Sequence, residues 1–129
     1  MARTPKPTFI TELPLVASLA HDAVMMDRFE AARRLFNAVL GDGLKALDLM
    51  RESKAWGSAK AMPKGEPKSE ARNARNAAFK ACNLHFGFTE YALQAVATGH
   101  KNTAGFGDRL GAHETQKIAS RVFASLQEY

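Results

Sequence analysis

Cysteine is almost absent: Cys82 is the single one among 129 residues. No disulfide can form within the chain and no cysteine-based metal centre can be built, which makes a reducing cytoplasm the simplest home. Long apolar runs are missing too. Nothing approaches the roughly 18 residues that a membrane-crossing helix needs, and the opening Met1-Ala2-Arg3-Thr4-Pro5-Lys6-Pro7 has no signal-peptide apolar core. The four histidines, His21, His85, His100 and His113, show no metal-ligand spacing, and no Gly-rich loop leads into Lys-Ser/Thr to cradle a phosphate. Asp42 and Asp48 stand six apart, off a common helical face, with no third acid to complete a two-metal site. Ser18 and Ser58 lack a positioned base. Catalysis, a metal, a cofactor and a membrane partner are therefore not expected of this chain.

What is abundant is positive charge, and it is unevenly placed. The net charge is +5 and the pI about 9.6. Residues 51–80 hold eight basic groups, Arg51, Lys54, Lys60, Lys64, Lys68, Arg72, Arg75 and Lys80, against the acids Glu52, Glu66 and Glu70; eight against three accounts for the whole net charge. A basic block on an otherwise balanced body points to an acidic partner, nucleic acid before membrane. At 46% apolar residues the chain is globular rather than disordered. Its length suits one domain, able to bury ~65–70% of its unfolded surface.

Taken in order, residues 1–20 form an N-terminal arm and residues 21–129 a helical body. Thr8 to Val16 alternates like a strand, with Phe9, Thr11, Leu13 and Leu15 on one side and Pro14 marking an edge or an end. No later stretch offers it a confident partner, so it is an orphan, open to self-association through its edge. From His21 to Lys54, Met25, Phe29, Phe36, Leu40, Leu44 and Leu47 recur at helical spacing, with Asp22 or Asp27 as the cap. Gly41-Asp42-Gly43 in its middle predicts a bend or break, or a close approach by another helix. Ala55 to Lys68 reads as a break of turn and linker residues, in which Trp56 either stacks on a base or pins the long helix to the core.

Ser69 then caps a helix to about Leu84. Ala71, Ala74, Ala78 and Cys82, with Phe79, give it a narrow apolar face, and Arg72, Arg75, Lys80, Asn73 and Asn76 occupy the rest. That pattern fits a phosphate-tracking surface and equally an ordinary exposed helix. After a turn at His85-Phe86-Gly87-Phe88, Thr89 caps a short helix to about Thr98, stopped by Gly99. His100 to Ala112 reads as a loop. The last helix, His113 to Tyr129, places Ile118, Val122, Phe123 and Leu126 on one face, and Gln116, Lys117, Ser120 and Arg121 off it. The expected fold is mainly α, a small bundle of four to five helices with one N-terminal β-strand.

Gln116-Lys117-Ile118-Ala119-x-Arg121, Phe123 and the Gln-Glu-Tyr end resemble the close of the helical recognition lobe in TnpB/OrfB-like proteins, transposon-encoded RNA-guided DNA endonucleases long called transposases. Gly87-Phe88-Thr89-Glu90-Tyr91-Ala92-Leu93 resembles that family's Gly-Phe-Ser-Glu-Tyr-Ala-Leu stretch, and Thr8 to Val16 and Arg28 to Arg51 match in order and spacing. The resemblance implies a recognition lobe plus the first strand of the domain that holds guide RNA, with DNA and guide-type RNA as partners. It implies a nuclease domain further along, not contained in these residues. The family's aromatic-x-x-Gln pattern falls on His113-Glu114-Thr115-Gln116, with histidine in the aromatic place. On this reading Gln116 reads a base edge while Lys117, Arg121, Trp56, Lys60, Lys64, Lys68, Arg72 and Arg75 grip nucleic acid. Two other readings stand beside it: a small basic helical module that binds protein, and an inactive remnant of a decayed transposase gene.

Overall fold

Ser18 sets the start of the first helix. Its backbone is extended, and its Oγ accepts the His21 N–H at 3.3 Å, satisfying a donor that the helix cannot satisfy itself. The cap is thus Ser18, in place of Asp22 or Asp27, which lie inside the helix. The computed structural model describes residues 18–129; the expected strand Thr8 to Val16 lies outside the described residues. Among the described residues there are five helices: α1 (Leu19–Glu52), α2 (Lys54–Ala61), α3 (Glu70–His85), α4 (Glu90–Ala104) and α5 (Ala112–Glu128). The mainly helical class is as expected.

The 34 residues of α1 span about 50 Å. Its buried positions are Ala31, Leu35, Val39, Gly43, Leu47 and Met50. A step of four overshoots one turn by about 40°, so this stripe winds around the helix and meets different partners along its length. α4 and α5 pack on the middle of α1 and on each other, and α2 packs near its end. The three-helix core of α1, α4 and α5 is filled by Leu35, Val39, Leu93, Ala97, Ala119 and Val122, all nearly or fully buried. The helix does not break at Gly41-Asp42-Gly43. Gly43 is buried at the crossing, where an added Cβ would lie 2.5 Å from Leu126 Cδ1, with Leu93 and Val122 just beyond. Of the two expected roles, close approach is the one found. Gly41 is exposed and meets nothing within 4 Å.

The stretch from Ala55 is not a continuous break. Ser53 ends α1 and begins α2: its Oγ donates to the Met50 carbonyl at 2.6 Å and accepts the Trp56 N–H at 3.1 Å. Ala59 is buried, Trp56 half-buried, and this packing holds the helix despite Gly57. α3 starts at Ser69 as expected, with the Arg72 N–H donated to its Oγ. Its expected small face holds only in part. Cys82 is buried and Ala78 and Phe79 half-buried, but Ala71 and Ala74 are exposed, because the hairpin partner α2 is only eight residues long.

α4 begins at Thr89 as expected, with Phe88 and Leu93 buried at its entrance, but runs past Gly99 to Ala104. The extra turns are held by fully buried Ala97 and by His100, whose Nε2 lies 2.6 Å from Asp42 Oδ2 on α1. The stop is Gly105, with a left-handed φ of 72°; its N–H reaches the Asn102 carbonyl, and the Phe106 N–H reaches that of Lys101 at 2.9 Å. The loop before α5 is correspondingly shorter than expected. α5 is capped by Glu114, whose carboxylate accepts the Gly111 N–H at 2.9 Å, and the buried Thr115 hydroxyl donates to the Gly111 carbonyl.

The two glycines of α1 separate helix propensity from packing. Gly41→Ala should stabilise by up to about 1 kcal/mol, because only propensity changes. Gly43→Ala should destabilise by about 1 kcal/mol net, since overpacking in a closed core costs about 1–3 kcal/mol against that gain. Urea unfolding of both variants checks this; two stabilised proteins would refute the close crossing.

On the solvent side of α1, Glu30 accepts hydrogen bonds from Arg33 and from Arg34. These bonds, Arg33's foremost, lower its carboxyl from 4.5 to about 2. A carboxyl held lower when folded contributes stability above the unfolded value, near 4.5, and loses it as pH falls towards 2. Carbon-detected NMR should find Glu30 titrating near 2, and Arg33→Ala with Arg34→Ala should return it towards 4.5.

Candidate nucleic-acid interface

Seven of the eight cations of residues 51–80 sit on the α2–α3 hairpin and its turn, and Arg51 stands beside them at the end of α1. Arg51, Lys54, Lys60, Lys64, Lys68, Arg72 and Lys80 are exposed. Arg72, Asn76 and Lys80, each four residues apart on α3, form one row with about 6 Å between neighbours. Lys64 and Lys68 occupy the turn. Lys68 adopts a left-handed φ of 65°, a strained conformation for a residue with a side chain.

An open cleft joins this hairpin to the end of α1, lined by Arg51, Trp56, Gly57, Lys60, Arg75 and Phe79. Trp56 packs edge-on against Phe79, with ring centroids 4.7 Å apart. This contact ties α2 to α3, which is neither of the two roles expected for Trp56; the ring remains half-buried at the cleft edge. Arg75 is half-buried rather than free on the polar side. Its guanidinium lies 5.1 Å from the Phe79 centroid, and its Nε makes a long hydrogen bond, 3.4 Å, to the Ala59 carbonyl. Arg51 lies 5.8 Å from the Tyr129 centroid. Phe79 and Tyr129 were not candidates from sequence, because their part depends on which helices meet.

The electrostatics of this end are unbalanced. The ion pairs among the described residues join Glu30 to Arg33 and Arg34 and Asp27 to Arg109, and Asp42 is hydrogen-bonded to His100. Among the described residues, none of the eight cations of the block is in an ion pair.

The candidate residues of α5 divide. Gln116, Lys117 and Arg121 are all exposed. Lys117 and Arg121 face α1, in a cleft with Arg28 and Phe29, whereas Gln116 shares a row with Ser120. Ser120 is not free to grip a phosphate: its hydroxyl reaches Glu90 Oε1 at 2.6 Å and the Gln116 carbonyl at 3.0 Å. Measured along α1, Arg28 and Arg51 are about 35 Å apart, whereas along α5 Lys117 and Arg121 lie about 18 and about 12 Å from Tyr129, so the two surfaces are distinct but approach each other on the α5 side. Among the described residues no three His, Cys, Asp or Glu side chains gather to hold a metal ion, and no helix is long and apolar enough to cross a membrane. Comparison with family models, with curated proteins and with solved structures finds no match.

The hairpin's two neighbouring arginines should respond differently to truncation. Arg75→Ala should cost about 1 kcal/mol, through loss of its stacking and packing on Phe79. Arg72→Ala should stay within about 0.5 kcal/mol of the parent, as exposed substitutions do. Thermal unfolding followed by circular dichroism distinguishes them; equal effects would mean that Arg75 is not part of the hairpin's structure.

Proposed function

We propose that this chain is a nucleic-acid-binding helical lobe of the TnpB/OrfB type, which contacts DNA and guide-type RNA through the α2–α3 hairpin and performs no catalysis of its own. The observation that carries this is the concentration of eight cations at one end of the molecule, with no ion pair among the described residues to neutralise them. Folding gathers charges that repel, and a phosphate backbone is the partner that relieves the repulsion and releases its own counterions on binding.

The roles divide by position. Lys60, Lys64, Lys68, Arg72 and Lys80 take phosphates. Arg51 and Arg75, held at the cleft on aromatic rings, present oriented guanidinium groups, and Trp56 offers a partly open ring beside them. Gln116, exposed on its own row of α5, is the candidate for reading a base edge, where an amide can bond adenine bidentately. This reading rests on charge distribution and on the resemblance of the motifs. A protein partner would need an acidic surface to relieve the same repulsion, and it releases no condensed counterions on binding.

Binding of the full chain to duplex DNA, followed by fluorescence anisotropy across a salt series, tests it. Affinity should fall steeply with salt, with a log–log slope of about −0.9 for each phosphate neutralised. The double variant Lys64→Ala with Arg72→Ala should weaken binding similarly on unrelated sequences and flatten the slope by about two contacts' worth. Salt-insensitive binding, or an unchanged slope in the double variant, would sink the proposal.

A further inference from the structure

A second cleft lies along the seam between α1 and the first half of α5. Its floor is aliphatic, formed by Ala32, Leu110 and Ile118, and Phe29 makes a wall that is 64% exposed. The cavity measures about 360 Å³. Arg28, Lys117 and Arg121 stand at its rim, and none of them is in an ion pair among the described residues. The other two charged groups on the lining are engaged elsewhere. Arg109 is paired with Asp27 at 2.9 Å, and Glu114 accepts the Gly111 N–H. The cleft is therefore apolar at its base and positive at its edge.

We infer that this cleft is a docking groove for an acidic amphipathic helix of a partner protein. The aliphatic floor selects the class of occupant. A base needs flat faces to stack on, and among the described residues Phe29 is the only ring lining the cleft; leucine-sized side chains need a socket between helices, which Ala32, Leu110 and Ile118 provide. The rim selects the charge. Three free cations beside an apolar socket complement carboxylates that flank the anchor residues of a helix. Lys117 and Arg121 serve both requirements, since their alkyl stems extend the apolar walls while their charged ends stay at the edge. α1 and α5 run in the same direction: Phe29 and Ile118 line the same cleft, and further along Gly43 meets Leu126 and Arg51 meets Tyr129. The open part of the seam lies upstream of the Gly43 crossing, between Arg28–Ala32 of α1 and Glu114–Arg121 of α5. Upstream of it, Leu19 and Met26 of α1 are 88% and 66% exposed, additional apolar surface for an occupant longer than the cleft. This surface is distinct from the hairpin end and can be tested without it.

The probe is a fluorescein-labelled amphipathic peptide of leucines at i, i+3, i+4 and i+7 with glutamates between them. It is titrated with the full chain and followed by anisotropy. It should bind at least about tenfold more tightly than a scrambled peptide of the same composition, and than a version with lysine in place of glutamate. Phe29→Ala, at an exposed position, should weaken binding about tenfold. Lys117→Glu with Arg121→Glu should remove it while the thermal melt stays unchanged. Lys64→Ala with Arg72→Ala should leave it intact, so loss of nucleic-acid binding at the hairpin is read separately. Equal binding of the scrambled or lysine peptide overturns the inference, as does indifference to Phe29→Ala. A short oligothymidylate that displaces the peptide and itself depends on Phe29 would overturn it in favour of nucleic acid in this cleft.

Discussion

The structure is organised by the crossing of α1, α4 and α5 at Gly43. At Gly43, α1 comes close enough to α4 and α5 for side chains of both, Leu93 from one and Val122 and Leu126 from the other, to close over its backbone. The three largest packing surfaces of the molecule, α4 on α5 and each on α1, share this crossing. Its position fixes the remainder. Upstream, α1 diverges far enough from α5 to leave a cleft between Phe29 and Ile118; downstream, the ends of α1 and α5 meet as Arg51 over Tyr129. The His100–Asp42 pair lies one residue from the same glycine and holds α4 to α1 from the solvent side. That pair is partly exposed, so its value is in fixing register more than in stability.

Charge and packing divide the molecule in the same way. α1, α4 and α5 supply most of the core, and the ion pairs among the described residues all lie on them or on the loop before α5. The two hairpin helices bury only Ala59 and Cys82 completely. A unit with so little buried surface gains little from apolar burial at roughly 25 cal/mol per Å². Its coherence comes instead from caps at Ser53 and Ser69, from Trp56 on Phe79, and from Arg75 across the same ring. The hairpin is thus assembled from interactions that tolerate solvent, which is why it can display six exposed cations without disturbing the core.

Helices with a long apolar period and a good cap were legible in the sequence. α1, α3 and α5 lie within a few residues of expectation, because spacing and the Ser69 cap are local signals. Errors fell where a distant contact decided the outcome. Gly99 is a plausible stop until His100 and Ala97 are seen to have partners on other helices; then Gly105, followed by the buried Phe106, becomes the better one. Lys54–Ala61 carries turn residues on both sides and only eight positions, too few for a period to show; its packing against α3 makes it a helix. At the candidate site, the basic block was readable as composition, but the use of Arg75 as a structural side chain was not, since it depends on Phe79 and Ala59 coming together. For the same reason Lys117 and Arg121 could be placed off the apolar face of α5, but not opposite Phe29.

The two clefts use cations in opposite ways, and the difference follows from what lies beneath them. At the hairpin end, guanidinium groups lie against aromatic rings, so their charge is oriented and their polar edges face outward, as suits a flat, highly charged partner. At the α1–α5 seam, cations ring an aliphatic socket, where the apolar part of a ligand must be desolvated before its charges meet theirs. α1 joins the two as an unbroken helix through Gly41-Asp42-Gly43. The spacing of the two clefts, about 35 Å from Arg28 to Arg51 along α1 but about 12 Å from Arg121 to Tyr129 along α5, is therefore set by helix geometry rather than by a hinge. A ligand confined to one end of α1 makes no contact with the other, so occupancy of the two surfaces is coupled by a partner that runs along α5 from Arg121 to Tyr129, by one long enough to span α1, or by a change in the crossing at Gly43. Gly43 is buried in that crossing, and interdigitated cores resist graded deformation. The fold as built therefore favours two independent surfaces over one communicating site.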